Sequence, residues 1–413
     1  MVHGGSCLGR APDGEGETVL VDGAIPGELV DAVVTRGSRG VTRARVDEVI
    51  EASPDRVEAP CAYYGVCGGC DLQHVAYPRQ LELKREVVLD AMRRQGVPLP
   101  AGELPVHGMK DPWRYRWRGE LHVVRAERGN RGEPVGLGFN RARSWTPVAI
   151  DDCLIHHRRI SSSIPALTAL VRDAGDEKLQ VLHLTAGDGG DELLIQPRPA
   201  RSLDAAAIDS AALAVEAGTR WLTGATTLQW RDMAFRIESR SFIQVNQGQM
   251  GVLYDRALAA LADTDGLRVV DAYAGIGMMS SAIARTAREV VCIEENPTSA
   301  RLGLLNARLN GVEDRVRYDC RTVEVALPEA AASDAVDAVV LDPPRAGCAG
   351  SVTGLLALAG PPRIVYVSCD PATLARDLHI LAGSGPYEVE ALEIVDMFPQ
   401  THHVECVAAL RRR

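Results

Sequence analysis

The pattern of hydrophobic and polar positions divides the chain into three regimes. In the first fifty residues short, β-branched runs cover 18–21, 28–34 and 41–50, with Asp22-Gly23 and Pro26-Gly27 as turns. That pattern predicts a small β-barrel over residues 1–50, left behind at Pro54 and Pro60. The second regime, 51–240, is mixed. Leu81, Val87, Val88, Ala91 and Met92 recur at helical spacing and predict a helix over 77–94, stopped by Gly96. Strand patterns follow over 120–124, 135–139, 181–185 and 192–196, with a helix expected at Asp204 to Glu216. This central domain reads as α+β and largely antiparallel. In the third regime, 241–413, a helix is predicted over 249–262. Apolar strands at 268–271, 289–293, 336–342 and 364–368 then alternate with helices, the rhythm of an α/β doubly wound parallel sheet of Rossmann-like type.

Composition sharpens this picture at a few points. A length of 413 residues suits two or three domains, and 46% hydrophobic residues can fill their cores. No apolar run reaches about 18 residues, so no membrane-spanning helix is expected. The polar, glycine-rich start has no secretory pattern, and a soluble, cytoplasmic monomer without a membrane partner is expected. Net charge is −10, which argues against a protein coated in nucleic acid. Residues 110–159 nevertheless hold eleven Lys/Arg against six Asp/Glu. Within them, Trp113-Arg114-Tyr115-Arg116-Trp117-Arg118 interleaves aromatic and guanidinium groups, as an RNA-contacting surface would or as a strand with its aromatics turned inward would.

The candidate chemistry lies at four places. Cys61, Cys67 and Cys70 form a C-x5-C-x2-C array among glycines, and Cys153 is the best distant fourth ligand. In a reducing compartment such crowding points to a metal or cluster; four thiolates suit zinc or iron–sulfur, and spacing does not choose. Asp271-Ala272-Tyr273-Ala274-Gly275-Ile276-Gly277 is a glycine turn at a strand end, with Glu294 closing the next strand where a carboxylate meets ribose hydroxyls. Ser280 replaces the third glycine of a dinucleotide fingerprint, which favours a nucleoside cofactor without pyrophosphate, namely S-adenosylmethionine. Asp342-Pro343-Pro344-Arg345 stiffens another strand end. Cys369 ends the strand of 364–368 before Asp370-Pro371, and Glu405 opens the last strand.

The segments Ser368-Cys369-Asp370-Pro371-Ala372-Thr373 and Phe398-Pro399-Gln400-Thr401-His402-His403-Val404-Glu405, with Ser241-Phe242-Ile243-Gln244-Val245-Asn246, resemble the RNA (uracil-5-)-methyltransferase family over essentially the whole chain. The first fifty residues resemble a TRAM domain, and the cysteine array resembles the [4Fe–4S] site of the ribosomal RNA branch. The resemblance implies that Gln244, Tyr273, Glu294 and Asp342 bind S-adenosylmethionine, that Cys369 is the nucleophile, and that Glu405 is the base. Met278 and Arg321 stand where the ribosomal enzymes have asparagines, which bears on individual cofactor contacts. The implied reaction is methylation of a uridine C5 in structured RNA, ribosomal RNA first and transfer RNA as the alternative. A non-catalytic RNA-assembly factor and an amino-methyltransferase of adenine or guanine are the competing readings. The first has no use for the Cys369, Glu405 and Asp342 set, and the second needs no thiolate.

Overall fold

The fold comes from a computed structural model that describes residues 1–10, 18–38, 41–126, 133–188, 192–200, 203, 220–222, 224–238 and 241–413. Strands β1 (Cys7–Gly9), β2 (Val19–Asp22), β3 (Leu29–Ser38) and β4 (Val41–Glu51) form a four-stranded sheet in the order β1-β2-β4-β3. The three predicted strands are present, and the three-residue β1 is added by pairing rather than by any pattern of its own.

Helix α1 (Tyr77–Arg94) matches its predicted span, with proline near its start and Gly96 at φ +64° just past its end. Its buried face includes Gln80, Leu83, Lys84, Val87, Val88 and Met92, whereas Leu81 and Ala91 are only partly covered. Val88 and Met92 share one hydrophobic core with Val270, Leu341 and Tyr366 of the C-terminal domain. The chain then adds β5 (Val106–His107) to the edge of the C-terminal sheet. Helical spacing fixes which face of α1 is apolar but says nothing about which sheet that face covers.

The middle sheet holds β6 (Arg118–Arg125), β7 (Pro134–Asn140), β8 (Pro147–Ala149), β9 (Val181–Ala186), β10 (Glu192–Arg198) and β11 (Arg220–Leu222), in the order β11-β10-β9-β6-β7-β8. Pairing is antiparallel except between β10 and β11. Helix α2 (Arg158–Ala174) covers it with Ile160, Ile164, Leu167 and Val171. Three consecutive serines and Pro165 conceal this helix in the sequence, although its apolar positions keep helical spacing. The helix expected at Asp204 to Glu216 lies outside the described residues. A hairpin, β12 (Ala225–Trp230) with β13 (Met233–Glu238), inserts Leu228, Trp230 and Phe235 into the C-terminal core.

Residues 113–118 run as a connector rather than a strand up to Arg118. Tyr115 is buried and its hydroxyl donates to the Pro399 carbonyl at 2.9 Å. Trp117 packs on His157, with ring centroids 4.2 Å apart. Tyr115 is therefore structural and not available to stack on a base.

In the C-terminal domain, α3 (Gln247–Leu261) is capped by Asn246, whose side-chain oxygen accepts from Gln249 N at 3.1 Å. The strands are β14 (Arg268–Ala272), β15 (Glu289–Ile293), β16 (Val316–Asp319), β17 (Ala338–Leu341), β18 (Arg363–Ser368), β19 (Tyr387–Val395) and β20 (Glu405–Arg412). Helices α4 (Met278–Ile283), α5 (Pro297–Leu309), α6 (Val323–Ser333), α7 (Gly350–Ala359) and α8 (Pro371–Leu378) flank them. The order β16-β15-β14-β17-β18-β20-β19-β5 is parallel through β18, and β20 runs antiparallel between β18 and β19. Along β18, Ile364 and Tyr366 enter the core on one face and Val365 and Val367 the core on the other. This alternation explains why the strand reads as an unbroken apolar run, since both faces are covered.

Candidate active site

The strand order reverses between β14 and β17, and a crevice opens there at the carboxyl ends of the strands. The turn leaving β14 holds Tyr273, Gly275 and Gly277 at φ +68°, +56° and +78°. A Cβ at Gly277 would lie 2.4 Å from the Tyr318 hydroxyl, so packing requires that glycine. A Cβ at Gly275 would meet nothing within 4 Å, so the backbone is open to a ligand. Glu294, just past β15, accepts from Gly275 N at 2.9 Å and from Asn296 N at 2.8 Å, which fixes the carboxylate at the turn.

The β14–β17 register pairs Ala272 with Leu341, so Tyr273 and Asp342 emerge side by side. Both line one cavity, together with Phe242, Gly275 and Met278. Burial, and next the charge of Asp271, push the Asp342 carboxyl up to about 7. Asp271 is itself pushed up to about 7 by burial and accepts a short hydrogen bond from the Ser280 hydroxyl. Gln244 is buried on the segment between Phe242 and Val245 and is not among the residues lining this cavity. Of the two departures, Met278 presents an apolar wall to the cavity. Arg321 is turned away, paired to Asp319 and Glu329.

Cys369 follows β18 directly, and Asp370 caps α8 by accepting from Ala372 N and Thr373 N, both at 3.0 Å. The β18–β20 register pairs Ser368 with Cys406. Continued by one step, it sets Cys369 opposite Glu405, and facing residues of an antiparallel pair lie about 5 Å apart. The electrostatics agree. Burial first, then Glu405, push the Cys369 thiol up to about 11, Arg345 opposes them, and Asp342 adds to the rise. Burial and Asp342 hold Glu405 well above the usual carboxylate range, again opposed by Arg345. Arg345 donates to His403 Nδ1 at 3.0 Å. Burial pushes that imidazole down to about 3, so at neutral pH it is uncharged and able to accept. A thiol, two carboxyls and one guanidinium thus converge beside the crevice.

Sequence reasoning missed the support beneath them. Lys84 and Asp396 are both fully buried and ion-paired at 2.5 Å, with Tyr77 Oη donating to the same carboxylate at 2.8 Å. Lys84 also donates to the Phe398 carbonyl at 3.0 Å. At helical spacing among charged residues, a lysine gives no sign that it is buried; the one available signal was its place on the apolar face of α1.

The four array thiols, Cys61, Cys67, Cys70 and Cys153, line a single cavity of about 560 Å³, and all ten cysteines of the chain are free of disulfides. Gly68 is required there, because a Cβ would lie 2.9 Å from the Ala142 backbone. Burial raises Cys67 and Cys70, and pushes Cys153 up to about 11; neighbouring array cysteines add to each rise. Among the described residues, no three His, Cys, Asp or Glu side chains close in tightly enough for a single metal ion. No described helix is long and apolar enough to cross a membrane.

A doubly wound sheet with an open glycine turn, an acidic strand end and a reversal-point cavity suits a nucleoside cofactor, as in methyltransferases that use S-adenosylmethionine. Residues 203–413 match the tRNA (Uracil-5-)-methyltransferase family. An uncharacterized RNA methyltransferase of Halalkalibacterium halodurans is 35% identical over 99% of this chain and 95% of its own length. A 23S rRNA (uracil(1939)-C(5))-methyltransferase, RlmD, of Shewanella amazonensis is also 35% identical, over 95% of this chain and 90% of its own. Among solved structures, the Pyrococcus abyssi tRNA (uracil-54, C5)-methyltransferase in complex with S-adenosyl-L-homocysteine has the same fold, with TM-score 0.71 and 22% identity over 98% of this chain and 100% of that one. The chain belongs to the uracil-5 RNA methyltransferase family.

Proposed function

We propose that this enzyme methylates C5 of an unpaired or flipped-out uridine in ribosomal RNA, with Cys369 as nucleophile and Glu405 as base. The observation that supports this reading is the β18–β20 register, Ser368 against Cys406, whose next step brings the Cys369 thiol toward the Glu405 carboxyl, with the charge of Glu405 acting on that thiol. Uracil C5 is too weak a nucleophile to take a methyl group unaided. A Cys369 thiolate adding to C6 forms an S–C6 bond and moves electrons to C5. C5 then takes the methyl group in line, the C–S⁺ bond of the sulfonium breaks, and neutral S-adenosylhomocysteine leaves. Glu405 accepts the C5 proton, the S–C6 bond breaks, and the thiolate is restored. A sulfonium held near Asp342 and Glu405 favours their ionised forms, opposing the rise that burial gives both carboxyls. Tyr273, Glu294, Asp342 and Gln244 are the proposed cofactor contacts.

The ribosomal target is supported by relatives named for 23S rRNA that align over nearly their whole length. Transfer RNA is the second reading, favoured by the family's description and by the archaeal structure. The test is to map 5-methyluridine across ribosomal and transfer RNA in cells with and without this protein. Loss of one ribosomal position is expected; loss confined to transfer RNA selects the second reading, and no loss in either overturns both.

The N-terminal sheet is proposed as the RNA-binding TRAM domain, and the array as the holder of a [4Fe–4S] cluster. Four free thiols around one cavity fit such a group, Cys61, Cys67, Cys70 and Cys153 being its ligands. Zinc, the runner-up, would draw the same four sulfurs to about 2.3 Å from a single point. Protein purified without oxygen should be brown, absorb near about 400 nm, and lose that band when Cys70→Ser is introduced. A colourless protein holding one zinc per chain would reverse the assignment.

A further inference from the structure

Glu405 is delivered by the loop 396–404, and that loop is held from outside the C-terminal domain. Residues Asp71 and Leu72, directly after Cys70 of the array, both donate their backbone N–H to the Gln400 carbonyl, at 3.1 and 3.0 Å. The Asp71 carboxylate bonds the His402 ring, and Tyr64 Oη donates to the Asp71 carbonyl at 2.8 Å. Gln80 of α1, fully buried, joins the two segments. Its Nε2 shares two N–H groups among Leu72 O at 3.0 Å, Val75 O at 2.8 Å and Gln400 Oε1 at 2.9 Å, while its Oε1 accepts from Gln400 N at 3.0 Å. Gln400 takes φ +67°, a conformation a non-glycine residue holds only when its surroundings impose it. Tyr115 adds its bond to Pro399 O. Two and three residues further on, His402 lies against Asp71 and His403 against Arg345, whose charge acts on both Cys369 and Glu405.

We infer that Gln80, together with the arm that follows the thiolate array, is a positioning device for the base: it sets where Glu405 stands relative to the RNA adduct, so loosening it slows release of RNA from Cys369 more than it slows adduct formation. The inference rests on the proposed Cys369–Glu405 chemistry. None of these groups touches the cofactor cavity, so cofactor binding should be indifferent to them. A misplacement of about 1 Å costs as much as 100-fold in a rate that depends on alignment. A merely structural role would lower the amount of active protein and so the amplitude of both steps, leaving their rate ratio unchanged.

The experiment measures two single-turnover rates with full-length protein, S-adenosylmethionine and unmodified target RNA: appearance of a denaturant-stable protein–RNA adduct, and its disappearance with release of methylated RNA. For Gln80→Ala, adduct release is expected to slow by roughly 10- to 100-fold relative to formation. S-adenosylhomocysteine affinity should stay within about twofold, which also reports that the protein is folded. Tyr115→Phe, which keeps the ring and removes one bond to the loop, should shift the same ratio in the same direction by a smaller factor. An unchanged ratio in both variants overturns the inference. Absence of an adduct and of methylation in the unaltered protein would instead overturn the proposed chemistry, so the two failures are distinguishable.

Discussion

Alanine in place of Cys369 is expected to abolish 5-methyluridine formation, by at least about 10³-fold, and to leave S-adenosylhomocysteine binding as before. The loss is large because Cys369 is the thiol at the end of β18, a hydroxyl such as Ser368 is a far weaker nucleophile, and without addition C5 has no electrons to offer. Binding should survive because Cys369 stands next to the cofactor cavity and is not among the residues that line it. The fold should survive as well, since the residue is only half-buried, and the strand stops at Ser368 with Asp370 capping α8 independently. The resting thiol, pushed up to about 11 by burial and by Glu405, is protonated at neutral pH. Arg345 pulls the other way, so activation depends on charges assembled when both ligands are present. The measurement is methyl transfer to unmodified RNA beside calorimetric titration of the cofactor product. Normal turnover in this variant would make Cys369 a structural thiol and remove the basis of the mechanism.

Glu405→Gln is expected to trap the reaction halfway. The amide fills the same buried position but cannot take the C5 proton, so the S–C6 bond cannot break. A protein–RNA adduct carrying one methyl group should survive denaturing gels, with turnover down by about 10² to 10⁴. The pH dependence separates this cause from general damage. Burial and Asp342 raise the native carboxyl well above its ordinary value, so its ionised, proton-accepting form accumulates only as pH climbs through that raised value. Adduct release by the native enzyme should therefore accelerate with pH over that window, and release by the glutamine variant should not. Absence of any adduct would reassign the base; Asp342, close enough to raise Glu405, is the next carboxylate in line.

Much of this site was legible before any coordinates, for a specific physical reason. Gly275 and Gly277, the Asp342-Pro343-Pro344 stop, and Cys369 before Asp370-Pro371 are local statements about dihedral freedom and strand ends, and local chemistry is written in consecutive residues. The span of α1 and the buried strands β14, β17 and β18 were readable for the same reason, because periodicity is a property of a short window. What only the tertiary structure decided involves partners far apart in the chain. Lys84 looks like any solvated helix lysine until Asp396, 312 residues away, is folded against it. Tyr115 alternates with arginines as a stacking residue would, yet the Pro399 carbonyl takes it inside. Four thiols around one cavity, and Cys369 set opposite Glu405, both depend on which strand lies beside which. Pairing order is settled by burial summed over the whole sheet, and no window of neighbouring residues contains that sum.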